Sequence, residues 1–135
     1  MITPPSAAEP AALPGVVVGI GVRPGVPAAV VDAAVDAALL RAGLSAAQVV
    51  AAATLDRRAA QLAPVVEARA WPLLALAPDR LVEAGTPHPS DRVAELAGVP
   101  SVAEAAALVG AGPGAYLLLP KQIIGPVTVA IAHRP

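Results

Sequence analysis

The order of apolar and polar residues along the chain predicts strands that alternate with helices. The stretch "GVVVGI" (15–20) is a continuous, mostly β-branched run, which is typical of a strand buried on both faces. Apolar residues then recur at helical spacing over 27–42, and Gly43 stands where a helix would end. The pattern continues as strand, helix, strand and short helix, at 49–55, 58–69, 72–77 and 78–85.

The second half of the chain predicts further helices and a hairpin. Ser90 is expected to cap a short helix, and Ser101 and Glu104 have the spacing of a capping box that opens another. Strands are predicted at 115–120 and 126–132, and the short link "KQIIG" between them favours an antiparallel hairpin. We therefore expect an α/β fold, a three-layer sandwich around about five mostly parallel strands, with the last strand antiparallel at an edge in a C-terminal hairpin.

The N-terminal stretch differs from the rest in composition. Residues 1–14 are rich in Pro and Ala and carry no Lys or Arg, so a flexible leader is expected rather than a signal peptide. Residues 15–135 are expected to form one domain. Pro, Gly or charged residues interrupt every apolar run before it reaches the length of a membrane span. A cytoplasmic protein that does not bind membranes is therefore expected.

Composition excludes several kinds of chemistry. The chain is 56% hydrophobic but has no Phe, one Trp and one Tyr, so its core must consist mainly of Val, Leu, Ile and Ala. A net charge of -1 argues against non-specific binding to nucleic acid, which requires a basic field. The absence of Cys excludes thiolate catalysis and disulfides. His88 and His133 are the only imidazoles, and we expect neither a metal site nor a cofactor.

The glycine-rich turn "GIGVRPGV" (19–26) is a poor match to a nucleotide-binding loop. Gly19 and Gly21 supply the first two glycines of the dinucleotide fingerprint, but Pro24 stands where the third is required. No Lys-Ser or Lys-Thr pair follows, so the P-loop pattern also fails. The glycines therefore indicate a sterically tight turn from strand to helix.

Charged residues follow three of the predicted strands. Arg23 follows the first strand, Asp56, Arg57 and Arg58 follow the second, and Lys121 follows "YLLLP". Ligands of open parallel sheets bind beyond the carboxyl ends of the strands, so these groups would form one edge that attracts carboxylates or phosphates. The alternative is that charged residues simply occupy solvent-exposed strand ends, and spacing alone leaves both interpretations open.

A hydrolase triad can be drawn from Ser90, His88 and Asp56, but no GxSxG elbow supports it. Ser90 and Ser101 are more simply interpreted as helix caps.

The motifs in their order resemble one family. "GIGVRPG", "TLDRR", "HPSDRV", "GVPSVAEAAAL" and "LLLPKQ" with "VTVAIA" are similar to the cobalamin-biosynthesis family of CobE and the CbiG C-terminal domain, from about Val16 to Ala132. The glycine turn resembles the "GIGCR" turn of that family. The positions that match family motifs are Gly19, Gly21, Arg23, Gly25, Thr54, Asp56, Pro89, Ser90, Ser101, Val102, Ala103, Glu104, Lys121 and Gln122.

The chain also departs from the family pattern. Val22 stands where many members have Cys, and Arg58 replaces the usual Lys after the aspartate. Ala60 and Gln61 stand where the family motif would supply two carboxylates. Any mechanism that depends on those acids is weakened here.

The resemblance implies a role in making the corrin ring. Full-length CbiG opens the lactone of a cobalt-precorrin and releases acetaldehyde, whereas CobE-like proteins are the stand-alone counterpart. We therefore expect a protein that binds a precorrin intermediate through a cationic cleft and acts with other enzymes of the cobalamin pathway. The expected ligand-binding residues are Gly19, Gly21, Arg23, Asp56, Arg58, Ser90, Ser101 and Lys121.

Two other functions stay open at this point. The chain could be a lactone hydrolase, alone or with a separate N-terminal module, and Asp56 and Glu104 are then the candidate catalytic acids. It could also be a purely structural subunit, which would show neither ligand binding nor turnover.

Overall fold

The computed structural model describes residues 15–83 and 101–135. The strands are β1 (Val16–Val22), β2 (Val49–Leu55), β3 (Leu73–Leu76), β4 (Tyr116–Ile124) and β5 (Val127–His133). The α-helices are α1 (Ala28–Ala42), α2 (Ala59–Arg69), α3 (Pro78–Glu83) and α4 (Ser101–Ala111), and short 3-10 turns occupy Ala46–Gln48 and Asp56–Arg58. The expected leader 1–14 and the helix expected after Ser90 lie outside the described residues.

The five strands form one mixed sheet in the order β3-β2-β1-β5-β4. β1 pairs in parallel with β2, and β2 with β3, whereas β5 is antiparallel to both β1 and β4. The predicted α/β fold and the C-terminal hairpin at one edge are confirmed. The outermost strand is β4, however, and the last strand β5 lies inside the sheet, contrary to our expectation.

Burial explains why β4 and β5 take these positions. The inner residues of β5 are buried on both faces of the sheet, apart from the half-buried Thr128. Along β4, by contrast, exposed residues alternate with half-buried ones, and the strand includes Pro120. A proline lacks the N–H that a central strand needs for pairing on both sides, so β4 belongs at the edge.

β4 also extends further than predicted. The sequence predicts a strand that ends at Pro120, but pairing with β5 continues to Ile124. The hairpin turn is therefore Gly125–Pro126, with Gly125 at φ 61°, and not the longer link "KQIIG". The strand passes Pro120 because an edge strand needs no N–H on its outer side and because the register shifts on both sides of Leu119.

Helices cover both faces of the sheet and complete the three layers. α1 and α2 pack on the face that carries Val16, Val18 and Ile20 of β1, whereas α4 packs on the face that carries Val17. The α4 side is built largely from Ala, and this lets the helix approach the sheet closely. Within residues 15–83 and 101–135, no helix is both long and apolar enough to cross a membrane.

A guanidinium joins α1 to α2. The Nη2 atom of Arg69 lies 2.7 Å from a carboxylate oxygen of Asp32 and 2.7 Å from one of Asp36, and its Cζ lies 5.0 Å from the ring centroid of Trp71. Burial alone would lower the pKa of Arg69, but the hydrogen bonds to Asp36 and Asp32, together with the negative charges of these two residues, outweigh burial and raise it. The guanidinium of Arg69 is therefore charged at neutral pH, where it connects the two helices.

Candidate functional site

The carboxyl ends of β1 and β2 place four charged residues at one edge of the sheet. β1 ends at Val22 and is followed by the exposed Arg23, and β2 is followed by the exposed Asp56 and Arg57 and the half-buried Arg58. The strands are parallel neighbours, so their carboxyl ends lie side by side. The structure therefore brings Arg23, Asp56 and Arg58 to the same edge.

Side chains that follow β2 hold the loop between β1 and α1, residues 23–27. The Nε atom of Arg58 donates a hydrogen bond of 2.9 Å to the Val22 carbonyl oxygen. The Nε2 atom of Gln61 donates to the carbonyl oxygens of Arg23, at 2.8 Å, and Val26, at 3.4 Å. Because these bonds occupy the carbonyl oxygens, the loop that carries Arg23 is fixed against α2.

The sequence did not reveal the role of Gln61. There the residue was notable only because the family motif has a carboxylate at its position. Its amide group donates to two carbonyl oxygens, which a carboxylate is unable to do. The residue in this chain is therefore a loop anchor, and only its tertiary contacts reveal that role.

We expect Gln61→Glu to destabilise the protein by about 1–2 kcal/mol at neutral pH, because the introduced carboxylate faces two carbonyl oxygens without a proton to donate. Repulsion raises the pKa of the introduced carboxyl above its usual value of about 4.3, so the deficit should shrink as the pH falls through that raised pKa. Urea unfolding of variant and wild type at matched pH measures the effect. Gln61→Met is the control, and its loss should not depend on pH; an identical pH dependence in both variants would contradict the contact.

The start of α4 lies over the end of β1. A side chain built at Gly21 would have the backbone nitrogen of Ala103 as a nearest neighbour, at 3.8 Å, and one built at Gly19 would meet the Ala103 carbonyl oxygen. The first turn of α4 is therefore close to the edge that carries Arg23. The side chain of Ser101 lies outside the described residues. The "GAGPG" turn leads from α4 to the start of β4, and thus lies at the opposite edge, as expected.

Lys121 is separate from the other cations. β4 runs in the same direction as β1, as our geometric argument requires, but β5 lies between them, so the two strands are roughly 10 Å apart. The prediction that Lys121 follows its strand is wrong, since β4 continues for three residues beyond Lys121, to Ile124. Both Ile124 and Val22 pair with Val127 of β5, so β4 and β1 end at the same level in the sheet. The exposed Lys121 therefore flanks the edge rather than adjoining Arg23 and Arg58.

The two candidate acids are far apart. Asp56 follows β2, whereas Glu104 of α4 is buried and its Oε2 atom accepts a hydrogen bond of 3.0 Å from the backbone N–H of Lys121 in β4. Three strand spacings separate β2 from β4, which amounts to roughly 14 Å. The structure therefore does not bring Asp56 and Glu104 together as an acid–base pair.

Other predicted residues lie beyond the described part of the chain. His88, Pro89 and Ser90 belong to the range 84–100, which the structure does not describe. In the described ranges, no three His, Cys, Asp or Glu side chains are close enough to hold a metal ion.

The fold and this edge define a class of protein: a three-layer α/β domain whose basic groups lie beyond the carboxyl ends of its parallel strands. The chain matches the family described as the C-terminus of cobalamin synthesis G (CbiG_C) over residues 16–132. It belongs to this family and is a cobalamin biosynthesis protein of the CbiG/CobE type, which confirms the resemblance inferred from its motifs.

Solved structures share both fold and sequence with the chain. Cobalamin biosynthesis protein chiG from Agrobacterium tumefaciens is 36% identical, with a TM-score of 0.68, and the match covers 87% of this chain and 96% of that one. CobE, a protein from the cobalamin biosynthetic pathway, is 32% identical, with a TM-score of 0.77, and the match covers 89% of this chain and 90% of that one.

A cobalamin biosynthesis protein G homologue from Sulfolobus solfataricus is similar in fold alone. It is 18% identical, with a TM-score of 0.70, and the match covers 90% of this chain but 37% of that one. No curated protein in the comparison matches the chain.

Proposed function

We propose that this protein binds a corrin-ring intermediate of cobalamin biosynthesis through the basic edge formed by Arg23 and Arg58, with Lys121 beside it, and that it acts in the cytoplasm with a partner enzyme of the pathway. The observation that carries the proposal is the pair of arginines at the ends of two adjacent parallel strands. Membership of the family indicates the pathway, and the arginines at the edge indicate a ligand that carries carboxylates.

The chemistry of corrin precursors suits this edge. These rings are fringed with acetate and propionate side chains, and arginine pairs with carboxylates through two parallel hydrogen bonds. The Nε atom of Arg58 is already bound to the Val22 carbonyl oxygen, which fixes the plane of its guanidinium. Its two Nη atoms form no hydrogen bond with the described residues, and we propose that they pair with a carboxylate of the ligand in this fixed orientation.

Binding is favoured over lactone hydrolysis by the position of the acids. A hydrolase needs a base within hydrogen-bond reach of the reacting water, and a second group for the developing charge. Of the two candidate acids, Glu104 accepts a hydrogen bond from the backbone N–H of Lys121, and Asp56 lies at the basic edge. Hydrolysis by Asp56 with a partner module is therefore an outcome that the experiment must separate.

A titration tests the proposal. The protein is titrated with cobyrinic acid, which carries free carboxylates, and with its fully amidated counterpart, while the visible spectrum and co-elution are followed. We expect binding of the acid at micromolar concentration and much weaker binding of the amide. Equal binding of both, or of neither, would overturn the proposal. Release of acetaldehyde from the lactone-bearing intermediate would instead indicate hydrolysis.

Substitution of Arg23 should weaken the affinity for the acid. We expect Arg23→Gln to raise the Kd for cobyrinic acid by about tenfold or more, because a hydrogen bond to a charged group contributes about 1.5–3 kcal/mol. Folding stability should change by less than about 0.5 kcal/mol, since Arg23 is exposed. The matched control is Arg134→Gln, which makes the same charge change after β5, at the opposite edge. A Kd that rises equally in both variants would indicate general electrostatics and no site at Arg23.

A further inference from the structure

The edge strand β4 contains a bulge at Pro120 and Lys121. Leu119 pairs with Ile131 of β5 and Gln122 pairs with Val129, so three steps along β4 correspond to two along β5. The extra residue leaves Pro120 and Lys121 without partners in the ladder. Bulges of this kind change the direction of a side chain, and they are frequent beside functional sites.

Side chains from two elements, α4 and β4 itself, bind every backbone polar group of the two bulged residues. Glu104 of α4 accepts the Lys121 N–H. The Nε2 atom of Gln122 donates to the carbonyl oxygens of Pro120, at 2.9 Å, and Lys121, at 3.1 Å. The Nη1 atom of Arg41, in α1, donates to the Oε1 atom of Gln122 at 2.9 Å and so holds that amide in place.

The cost of this arrangement argues for a purpose beyond folding. Glu104 is 8% exposed, and burying a carboxylate is expensive unless it is hydrogen-bonded. Its partner is a backbone N–H on an exposed edge strand, which water could have satisfied at no such cost. The approach of α4 to Gly19 brings Glu104 within reach of β4. What the arrangement determines is the direction in which the exposed Lys121 leaves the strand.

We infer that Glu104 is a positioning residue, which together with Gln122 and Arg41 holds the β4 bulge so that Lys121 is directed toward a carboxylate of the corrin ligand. The inference rests on the proposed function for its ligand. It assigns Glu104 no proton transfer, so an uncharged acceptor of the same shape should serve in its place.

The experiment compares three variants with wild type and with Lys121→Ala, which removes the ammonium group itself. Glu104→Met keeps the volume and removes the acceptor, Glu104→Gln keeps an acceptor and removes the charge, and Gln122→Met disturbs the bulge from the other side. Glu67→Gln, on the exposed face of α2, is the control. Two quantities are measured: amide hydrogen exchange of Lys121 in the free protein by NMR, and the Kd for cobyrinic acid.

We expect Glu104→Met to accelerate exchange of the Lys121 amide by about tenfold, which corresponds to one lost hydrogen bond. Its Kd should rise to that of Lys121→Ala, and Gln122→Met should change both quantities in the same direction. Glu104→Gln should restore both quantities to near wild type. If Glu104→Gln is as impaired as Glu104→Met, the carboxylate charge matters and the positioning role is wrong.

The two proposals fail in different ways. If the exchange rate of the Lys121 amide is unchanged in both Glu104→Met and Gln122→Met, the positioning role is overturned, whether or not the protein binds cobyrinic acid. A wild type that binds no cobyrinic acid would overturn the proposed function, and with it the use of the bulge for that ligand. Both proposals are supported if Glu104→Gln has the wild-type exchange rate at the Lys121 amide and the wild-type Kd for cobyrinic acid.

Discussion

Gly19→Ala should destabilise the protein by at least about 3 kcal/mol and lower its Tm by about 10 °C. The added methyl group would collide with the Ala103 carbonyl oxygen and lie 2.7 Å from the backbone nitrogen of Ala107. Both are backbone atoms of α4, so no side-chain rotation relieves the overlap, and the helix has to move away from the sheet. That movement opens the small-residue layer, which depends on close packing of Ala against Ala.

Gly21→Ala is the matched control for this prediction. It lies two residues further along β1 on the same face, but an added methyl group there would have its nearest neighbours at 3.8 Å, which is ordinary contact. We expect its stability to stay within about 1 kcal/mol of wild type, since alanine also restricts the unfolded chain. Thermal and urea unfolding of the two variants decide the matter. Equal stability of Gly19→Ala and Gly21→Ala would mean that α4 does not pack on β1 as described.

Removal of the guanidinium that connects α1 to α2 has the second largest expected effect. We expect Arg69→Met to cost about 2–3 kcal/mol, because it removes hydrogen bonds to two carboxylates and the contact with the Trp71 ring. The Arg69 side chain is 13% exposed, so its interactions are partly shielded from water. Asp32 and Asp36 are more exposed, and water can solvate them again, which keeps the loss below that of a fully buried pair.

Salt separates the electrostatic part of this effect from packing. Chemical denaturation with urea, at low and at high NaCl, should show a smaller difference between Arg69→Met and wild type at high salt. Arg134→Met, which removes an exposed arginine after β5, should stay within about 0.5 kcal/mol of wild type. A stability of Arg69→Met equal to that of the control would show that the bridge between the helices contributes nothing.

The order of elements and the shared edge could be predicted, because both depend on local patterns. A buried parallel strand reads as a continuous apolar run, and the carboxyl ends of adjacent parallel strands must lie together. Arg23 and Arg58 were therefore placed correctly at one edge. Lys121 was misplaced because proline was read as the end of a strand, whereas an edge strand accepts it.

The contacts by which Gln61 and Glu104 hold distant backbone segments could not be predicted from the sequence. Gln61 reaches carbonyl oxygens 35 and 38 positions away in the sequence, and Glu104 reaches an N–H 17 positions away. No local periodicity encodes such contacts, since each depends on how a helix lies across the sheet. The spacing of Glu104 from Ser101 fitted a capping box equally well, and the contact of Glu104 with β4 emerged only from the packing of α4.

By itself, the sequence determined that this is an α/β protein with parallel strands, a core of small aliphatic residues and the motifs of its family. These properties reside in hydrophobic period, composition and short motifs, all of which act over a few neighbouring residues. Only the tertiary structure decided that β5 lies between β1 and β4, and that Glu104 accepts a hydrogen bond from the backbone of β4. The physical reason is that strand order and side-chain partners depend on which buried surfaces and unpaired backbone groups meet in three dimensions, and these meetings join residues far apart along the chain.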